Sequence, residues 1–141
     1  MKRRKEGFSL VELLIVLAVM AALIATITPV ALNAIRKARA TKVAQDLQAL
    51  ASSFENYLYV NDAVPDNFDQ LGRDIDPEVY GLGYTLTDGT YQVTVGATGN
   101  VTLDAVQEVL SSATDSASET LDDYGEELSS GIFYNYEFQV Y

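Results

Sequence analysis

The apolar positions of the chain divide it into a first part that suits lipid and a second part that suits water. From Phe8 to Leu32 nearly every side chain is apolar. Beyond that run, apolar residues recur at steps of three and four, with one adjacent pair, at Val43, Leu47, Leu50, Phe54, Tyr57 and Leu58. Such spacing places them on one helical face. We therefore predict one long helix from about Phe8 to about Tyr59, ended by the segment NDAVPD with its Pro65.

The later part of the chain contains segments that alternate apolar and polar residues, as strands do. In YTLTDGTYQVTV, residues 84–95, two alternating segments flank Asp88 and Gly89, and Asp-Gly suits the tight turn of a hairpin. In GIFYNYEFQVY, residues 131–141, one strand face would carry Ile132, Tyr134, Tyr136, Phe138 and Val140. A short helix is possible at DNFDQLG, residues 66–72.

Between the hairpin and the last strand the apolar spacing again favours helix. Steps of three and four link Leu103, Val106, Leu110, Ala113, Ala117, Leu121, Tyr124 and Leu128. This predicts one or two amphipathic helices, with the Ser-rich SSATDSASE as a weak point. Packing on the chain's own sheet is favoured over a coiled-coil partner, because only about four heptads are present. Together the elements predict an α+β fold, with the long helix packed on a small antiparallel sheet.

The apolar run has a length that decides between two interpretations. Four basic residues, Lys2 to Lys5, precede it, which is the general form of an export signal. Small residues that a signal peptidase accepts occur at Ala18, Ala21, Ala22 and Ala25. The run nevertheless continues to Leu32, and about 25 helical residues span the hydrocarbon core of a bilayer. The length favours a retained membrane helix over a discarded signal.

An ordinary membrane anchor does not explain the acid Glu12 inside this run. A charged side chain at the centre of a membrane helix costs about 2.5 to 3.5 kcal/mol on insertion scales, so it usually has a partner. The surrounding residues are Gly7, Phe8, Ser9, Leu10, Val11 and Glu12, followed by Pro29. This segment resembles the start of type IV pilins and type II secretion pseudopilins, which have a basic leader ending in Gly, then Phe, and Glu four residues later.

The resemblance implies a processing step and an assembly role. It implies that prepilin peptidase cuts between Gly7 and Phe8 and that the new amine of Phe8 is N-methylated. The liberated cation would lie four residues before Glu12, where the two charges pair on one helix or, as the family implies, between neighbouring subunits. Pro29 removes a backbone donor, so a kink or local melting is expected there.

The same resemblance implies a pilin-like domain organisation and a set of partners. Residues 1–7 would be the leader, 8–32 the transmembrane and polymerisation helix, 33–60 its amphipathic continuation and 61–141 an acidic head. The expected partners are further pilin copies, prepilin peptidase, the inner-membrane assembly platform and, before assembly, the lipid bilayer. The expected location is the bacterial inner membrane, in a single pass, and then an extracellular or periplasmic filament. Adhesion, twitching motility, DNA uptake and type II secretion all stay open as roles.

Charge and missing residue types narrow the function further. After Lys42 the chain has 18 of its 20 acids and a single base, Arg73, which gives that part a formal charge of −17. Such a surface repels phosphate backbones, so we expect no direct nucleic-acid binding. Cysteine and histidine are absent, which weakens most enzyme interpretations and removes the commonest zinc ligands. We expect no catalysis and no cofactor. The paired cysteines that close a C-terminal loop in many pilins are also lacking.

Two charged segments remain as candidate sites. In DIDPE the alternating acids Asp74, Asp76 and Glu78 are weak candidates for calcium, since carboxylate oxygens at such spacing can bind it. A solvated acidic loop is the simpler interpretation. A second group, Arg36, Lys37, Arg39 and Lys42, follows the apolar run and suits anionic headgroups. The alternative function is thus a membrane-anchored acidic domain that binds a ligand or calcium and never polymerises.

Overall fold

The long helix predicted from the apolar pattern is the first element of the structure. In this computed structural model, residues 7–72, 75–121, 124–125, 128 and 130–140 are described. Helix α1 runs from Leu10 to Asn61, over 52 residues, which confirms the predicted helix with each end displaced by about two residues. The chain divides into two compact units, Met1–Arg36 and Lys37–Tyr141, and they are described separately.

The described residues of the second unit form an antiparallel sheet of five strands. Three are eight residues long, namely β1 (Tyr80–Thr87), β2 (Thr90–Ala97) and β5 (Ile132–Gln139). The two edge strands have two residues each, namely β3 (Ala113–Thr114) and β4 (Tyr124–Gly125). Their order in the sheet is β3-β5-β2-β1-β4. The predicted α+β class is confirmed, since the second half of α1 packs on this sheet.

The predicted hairpin is confirmed and its turn has the expected geometry. Strands β1 and β2 pair from Thr87 opposite Thr90 to Tyr80 opposite Ala97. The two turn residues, Asp88 and Gly89, both have positive φ angles, of 51° and 80°. Such angles define the tight turn that matches the twist of the flanking strands, and Asp and Gly tolerate them best. The short helix predicted at 66–72 is present as a 3₁₀ turn, Phe68–Leu71.

The inner face of the sheet meets the amphipathic stripe of α1 through a layer of aromatic rings. Phe54 is fully buried, and its ring centroid lies 5.4 to 6.4 Å from the rings of Tyr84, Tyr91, Tyr124 and Phe138. These tilted and edge-on contacts are ones that aromatic rings favour. The predicted apolar face of the last strand is therefore the face that holds the helix.

Two tyrosine hydroxyls also tie the sheet to the helix. Tyr136 donates to the backbone oxygen of Ala51 at 2.8 Å, and Tyr80 donates to Asp46 Oδ2 at 2.7 Å. Burial, and then the neighbouring carboxylate of Asp46, raise the pKa of Tyr80 above its ordinary value. The hydroxyl groups of these two tyrosines thus have hydrogen-bond partners.

The predicted helical segment before the last strand is present, but the expected extent of one or two amphipathic helices over residues 103–128 is wrong. Helix α2 covers only Leu103–Gln107, and the later described part of this segment forms β3, β4 and irregular chain. Side-chain oxygens there accept the backbone N–H groups that a helix would use. Asn135 Oδ1 accepts from Ser118 N at 3.1 Å, and Thr94 Oγ1 accepts from Glu119 N at 3.1 Å. Such bonds compete with helix formation.

This irregular segment lies across the outer face of the sheet, where glycines make room for it. A Cβ on Gly83 would lie 1.8 Å from the backbone oxygen of Thr120, and a Cβ on Gly96 would lie 2.6 Å from Leu121 Cδ1. The apolar residues Leu121 and Phe133 belong to a second small core on this side. The helical spacing of the apolar residues therefore reflects burial on two faces of a sheet.

Candidate functional site

The residues around the predicted cleavage position lie just before helix α1. Gly7, Phe8 and Ser9 have no regular secondary structure, and Leu10 is the first helical residue. Phe8 is 81% exposed. The peptide bond between Gly7 and Phe8 is therefore accessible and outside the helix. Cleavage and N-methylation at these two residues stay predictions.

Glu12 has a partner that the sequence interpretation missed. Its Oε2 accepts a hydrogen bond from the backbone N–H of Ser9 at 2.7 Å. In return, the backbone N–H of Glu12 donates to Ser9 Oγ at 3.2 Å. This reciprocal pair is a capping box, which satisfies two of the free donors at a helix start. The spacing Ser-x-x-Glu was the sequence signal for it.

Before any processing, the capping box gives Glu12 a structural role at the start of α1. In the unprocessed chain the nitrogen of Phe8 is an amide, so the partner of the carboxylate is the N–H of Ser9. An acid in the first turn also interacts favourably with the positive end of the helix dipole. The predicted pairing of Glu12 with a free amine at Phe8 concerns the processed chain and stays a prediction.

C-terminal to Glu12, α1 presents an apolar surface on all sides. Sixteen large apolar side chains between Phe8 and Ile35 are exposed. Among the described residues α1 is the one helix long and apolar enough to cross a membrane. With its apolar character, the first unit is consistent with a membrane-anchored, single-pass protein.

Helix α1 continues through Pro29. The backbone remains α-helical on both sides of it, so the local melting considered as one outcome does not occur; the kink stays a prediction. The hydroxyl of Thr28 donates to the backbone oxygen of Ile24 at 2.8 Å, and that of Thr26 donates to Leu23 at 2.9 Å. These bonds keep the threonine hydroxyls satisfied within the apolar run.

The four bases that follow the apolar run, which we name the basic collar, are all exposed: Arg36, Lys37, Arg39 and Lys42. Lys37 Nζ lies 2.8 Å from Glu108 Oε2. That contact raises the pKa of Lys37 and lowers the pKa of Glu108, through their hydrogen bond first and their charges second. Within the described part of the chain this is the one ion pair. Arg36, Arg39 and Lys42 thus face solvent without a carboxylate from the described residues.

The weak calcium candidates are not brought together as a described site. Asp74 lies outside the described residues. Asp76 Oδ1 accepts a hydrogen bond from the backbone N–H of Glu78 at 3.0 Å, and the backbone oxygen of Asp76 accepts from Val79 and Tyr80. Within the described ranges no three potential ligands form a metal-binding group. The carboxylate of Asp76 caps the turn that leads into β1.

An open groove of about 300 Å³ lies beside strands β2 and β5. It is lined by Gln92, Ser118, Asn135, Tyr136 and Glu137. Its lining offers amide and hydroxyl groups and a single carboxylate. A paired acid and base of the kind that general acid–base chemistry uses is not among these lining residues.

Comparison with known proteins concerns the N-terminal segment. Residues 2–28 match the family model described as the prokaryotic N-terminal methylation motif. No curated protein and no solved structure matches the chain. The match covers the leader, the predicted cleavage position, Glu12 and most of the apolar run. It confirms the resemblance stated for this segment, because the motif is the hallmark of type IV prepilin-like proteins.

Proposed function

We propose that this chain, which carries the prepilin-type methylation motif, is a structural subunit, a pilin or pseudopilin, of a type IV pilus-like filament. In this proposal prepilin peptidase cuts between Gly7 and Phe8, the amine of Phe8 is methylated, and an inner-membrane assembly platform adds the subunit to a filament. The chain has no catalysis of its own, and the energy of assembly comes from a separate motor.

The proposal is supported by the methylation motif together with the exposed apolar surface of the first part of α1. Sixteen large apolar side chains between Phe8 and Ile35 are exposed on the single chain. Covering one Val, Leu, Ile, Phe or Met side chain is favourable by about 1.5 to 3 kcal/mol. The apolar segment, residues 8–35, is therefore unstable when it is exposed to water. Lipid covers it before assembly, and the helices of other copies cover it in a filament.

The acid Glu12 favours other copies of the chain over lipid as the final surroundings of the apolar helix. The hydrocarbon chains of lipid cover the apolar side chains but offer the acid no opposite charge. Removal of the leader would turn the nitrogen of Phe8 into a cation four residues before Glu12. Only Oε2 of Glu12 is used by Ser9, so Oε1 is available to an amine. If that amine belongs to a neighbouring copy, the contact is head-to-tail, and a head-to-tail contact that does not close generates a filament.

The proposed location follows from the same two features. In this proposal the subunit lies in the bacterial inner membrane before assembly, and its apolar helix, long enough to cross a bilayer, supports that location. After extraction the filament lies in the periplasm or outside the cell. The acidic head disfavours a role in gripping DNA, while adhesion, twitching motility and type II secretion are all compatible with a filament of such subunits.

The experiment that tests the processing step is the intact mass of the full-length protein purified from its host. We expect a chain that begins at Phe8 and carries one added methyl group. The variant Gly7→Val is the matched control, and we expect it to keep the leader. Recovery of unprocessed wild-type chain, with Met1 to Gly7 still attached, would favour the anchored acidic domain that does not polymerise.

A further inference from the structure

Arg39 and Lys42 of the basic collar lie beside the buried face of α1 and are open to solvent. Both are exposed. At 3.6 residues per turn they lie about 80° and about 140° around α1 from the buried Leu47, which faces the sheet. Lys37, in contrast, is engaged by Glu108 of the same chain. Arg39 and Lys42 are thus two cations of the collar on an exposed flank of α1.

The opposite end of the second unit carries four exposed acids, which we name the acidic end: Asp62, Asp66, Asp69 and Asp88. Hydrogen bonds bring their segments together. Tyr57 at the end of α1 donates to Gln70 of the 3₁₀ turn, and Tyr59 donates to the backbone oxygen of Gln139. Gln139 pairs with Thr90, next to the hairpin turn that contains Asp88. The acidic end therefore consists of the helix end, the 3₁₀ turn and the hairpin turn.

Exposed apolar side chains accompany these acids. Val60 is 81% exposed and Tyr59 is 52% exposed, and Leu86 in the hairpin is 55% exposed. Among the described residues of these segments none is basic. A partner for the acidic end would have to supply positive charge and long side chains with apolar stems, which Arg and Lys do.

The two charged regions are separated along the helix. Asp62 follows Lys42 by twenty positions, which corresponds to about 30 Å along the helix axis. When two copies point in the same direction and one is displaced by about this distance, the collar of one meets the acidic end of the other. Such a contact is head-to-tail and does not close, so it extends along a filament.

We propose that in the assembled filament Arg39 and Lys42 of one copy bind the acidic end of a second copy. This inference rests on the proposed function, since it needs a filament. The occupant is a second copy because every copy carries a formal charge of −17 after Lys42, so stacked heads repel unless acids of one meet bases of the next. An anionic lipid headgroup is the competing partner, and it is an outcome of the test.

The test uses the full-length chain in its host and measures the amount of the protein in sheared filaments and in membranes. The double variant Arg39→Gln/Lys42→Gln removes two positive charges. We expect a loss of filaments of about tenfold or more, with unchanged membrane levels, as expected when charges that must pair are removed. The matched control, Ser111→Glu/Ser112→Glu, makes the same change in net charge at exposed positions between α2 and β3, outside the basic collar and the acidic end, and should assemble normally.

A charge exchange identifies the partner. We expect Arg39→Glu/Lys42→Glu and Asp66→Lys/Asp69→Lys each to fail, and their combination in one chain to regain filaments to within a few fold of wild type. Circular dichroism of each variant checks that the head is folded. Normal filaments in the collar variants, or no recovery in the combination, would overturn the inference while leaving the filament itself established.

Two further outcomes are distinct. If the collar variants lose binding to vesicles of anionic lipid and the acidic-end variant assembles normally, the collar's partner is a headgroup and the inference is wrong. If wild-type protein is absent from filaments altogether, the proposed function fails and this inference fails with it.

Discussion

Replacement of Glu12 by Gln separates the two tasks that this side chain has in our account. Glu12 accepts the N–H of Ser9 through Oε2 at 2.7 Å, and a Gln at this third helical position also completes a capping box. The variant Glu12→Gln therefore keeps the start of α1 intact. It removes only the negative charge that would attract the amine of Phe8 in a neighbouring copy.

The loss of binding free energy in Glu12→Gln can be estimated from the attraction between the Glu12 carboxylate and the Phe8 amine. Two opposite unit charges about 4 Å apart attract by about 4 kcal/mol at an effective dielectric constant of about 20. Because about 1.4 kcal/mol corresponds to a factor of ten in an equilibrium constant, each contact would weaken by up to roughly a thousandfold. Glu12→Ala would lose the same attraction and also the cap on Ser9, which costs about 1 kcal/mol more.

The assay compares sheared filaments with the membrane pool in cells that express wild type, Glu12→Gln or Glu12→Ala. We expect all three in the membrane, because an uncharged residue inserts at least as easily as an acid. We expect filaments from neither variant, or filaments of irregular form. Wild-type amounts of regular filaments from Glu12→Gln would refute the reasoning, since the charge would then have no role in assembly.

Three predictions concern the head. Phe54→Ala removes a buried ring that contacts four others, so the free energy of unfolding should fall by about 3 to 5 kcal/mol in urea titrations of the full chain in detergent; a loss under about 1 kcal/mol would contradict the packing. Gly83→Ala places a Cβ 1.8 Å from the backbone oxygen of Thr120, which forces the segment to move off the sheet. Amide hydrogen exchange should therefore increase in residues 115–121. Unchanged exchange would mean that this segment does not lie on the sheet. In the wild-type chain Lys37 holds the pKa of Glu108 low, so in Lys37→Met this pKa should rise towards its ordinary value in a carboxyl NMR titration. The contact stabilises the fold at neutral pH, and this contribution is lost as the pH falls through the Glu108 pKa. An unchanged pKa would exclude the pair in solution.

The elements that could be predicted from the sequence are those in which local preference and burial agree. The spacing from Val43 to Leu58 matches the stripe of α1 that packs on the sheet. Asp88 and Gly89 predicted a hairpin because few other residues tolerate the positive φ angles observed there. The last strand was predictable because its alternate aromatic residues all face the helix.

The elements that could not be predicted are those that depend on distant parts of the chain. The segment after Gln107 has helical spacing, yet Asn135 and Thr94 take its backbone N–H groups, and the glycines of β1 and β2 open the surface on which it lies. At the site, the importance of Glu12 was evident from its place in an apolar run. Its bond to Ser9 did not follow from the expectation of an opposite charge, because the partner in the unprocessed chain is a backbone N–H.

The central claim is that processing at Gly7 converts a membrane-anchored subunit into one that stacks through the Phe8 amine and Glu12. Mass spectrometry of filaments sheared from the surface of the native organism tests it most directly. Our account predicts that these filaments contain this polypeptide, beginning at a methylated Phe8. Filaments that lack it, while the protein remains in the membrane with its leader attached, would contradict the account.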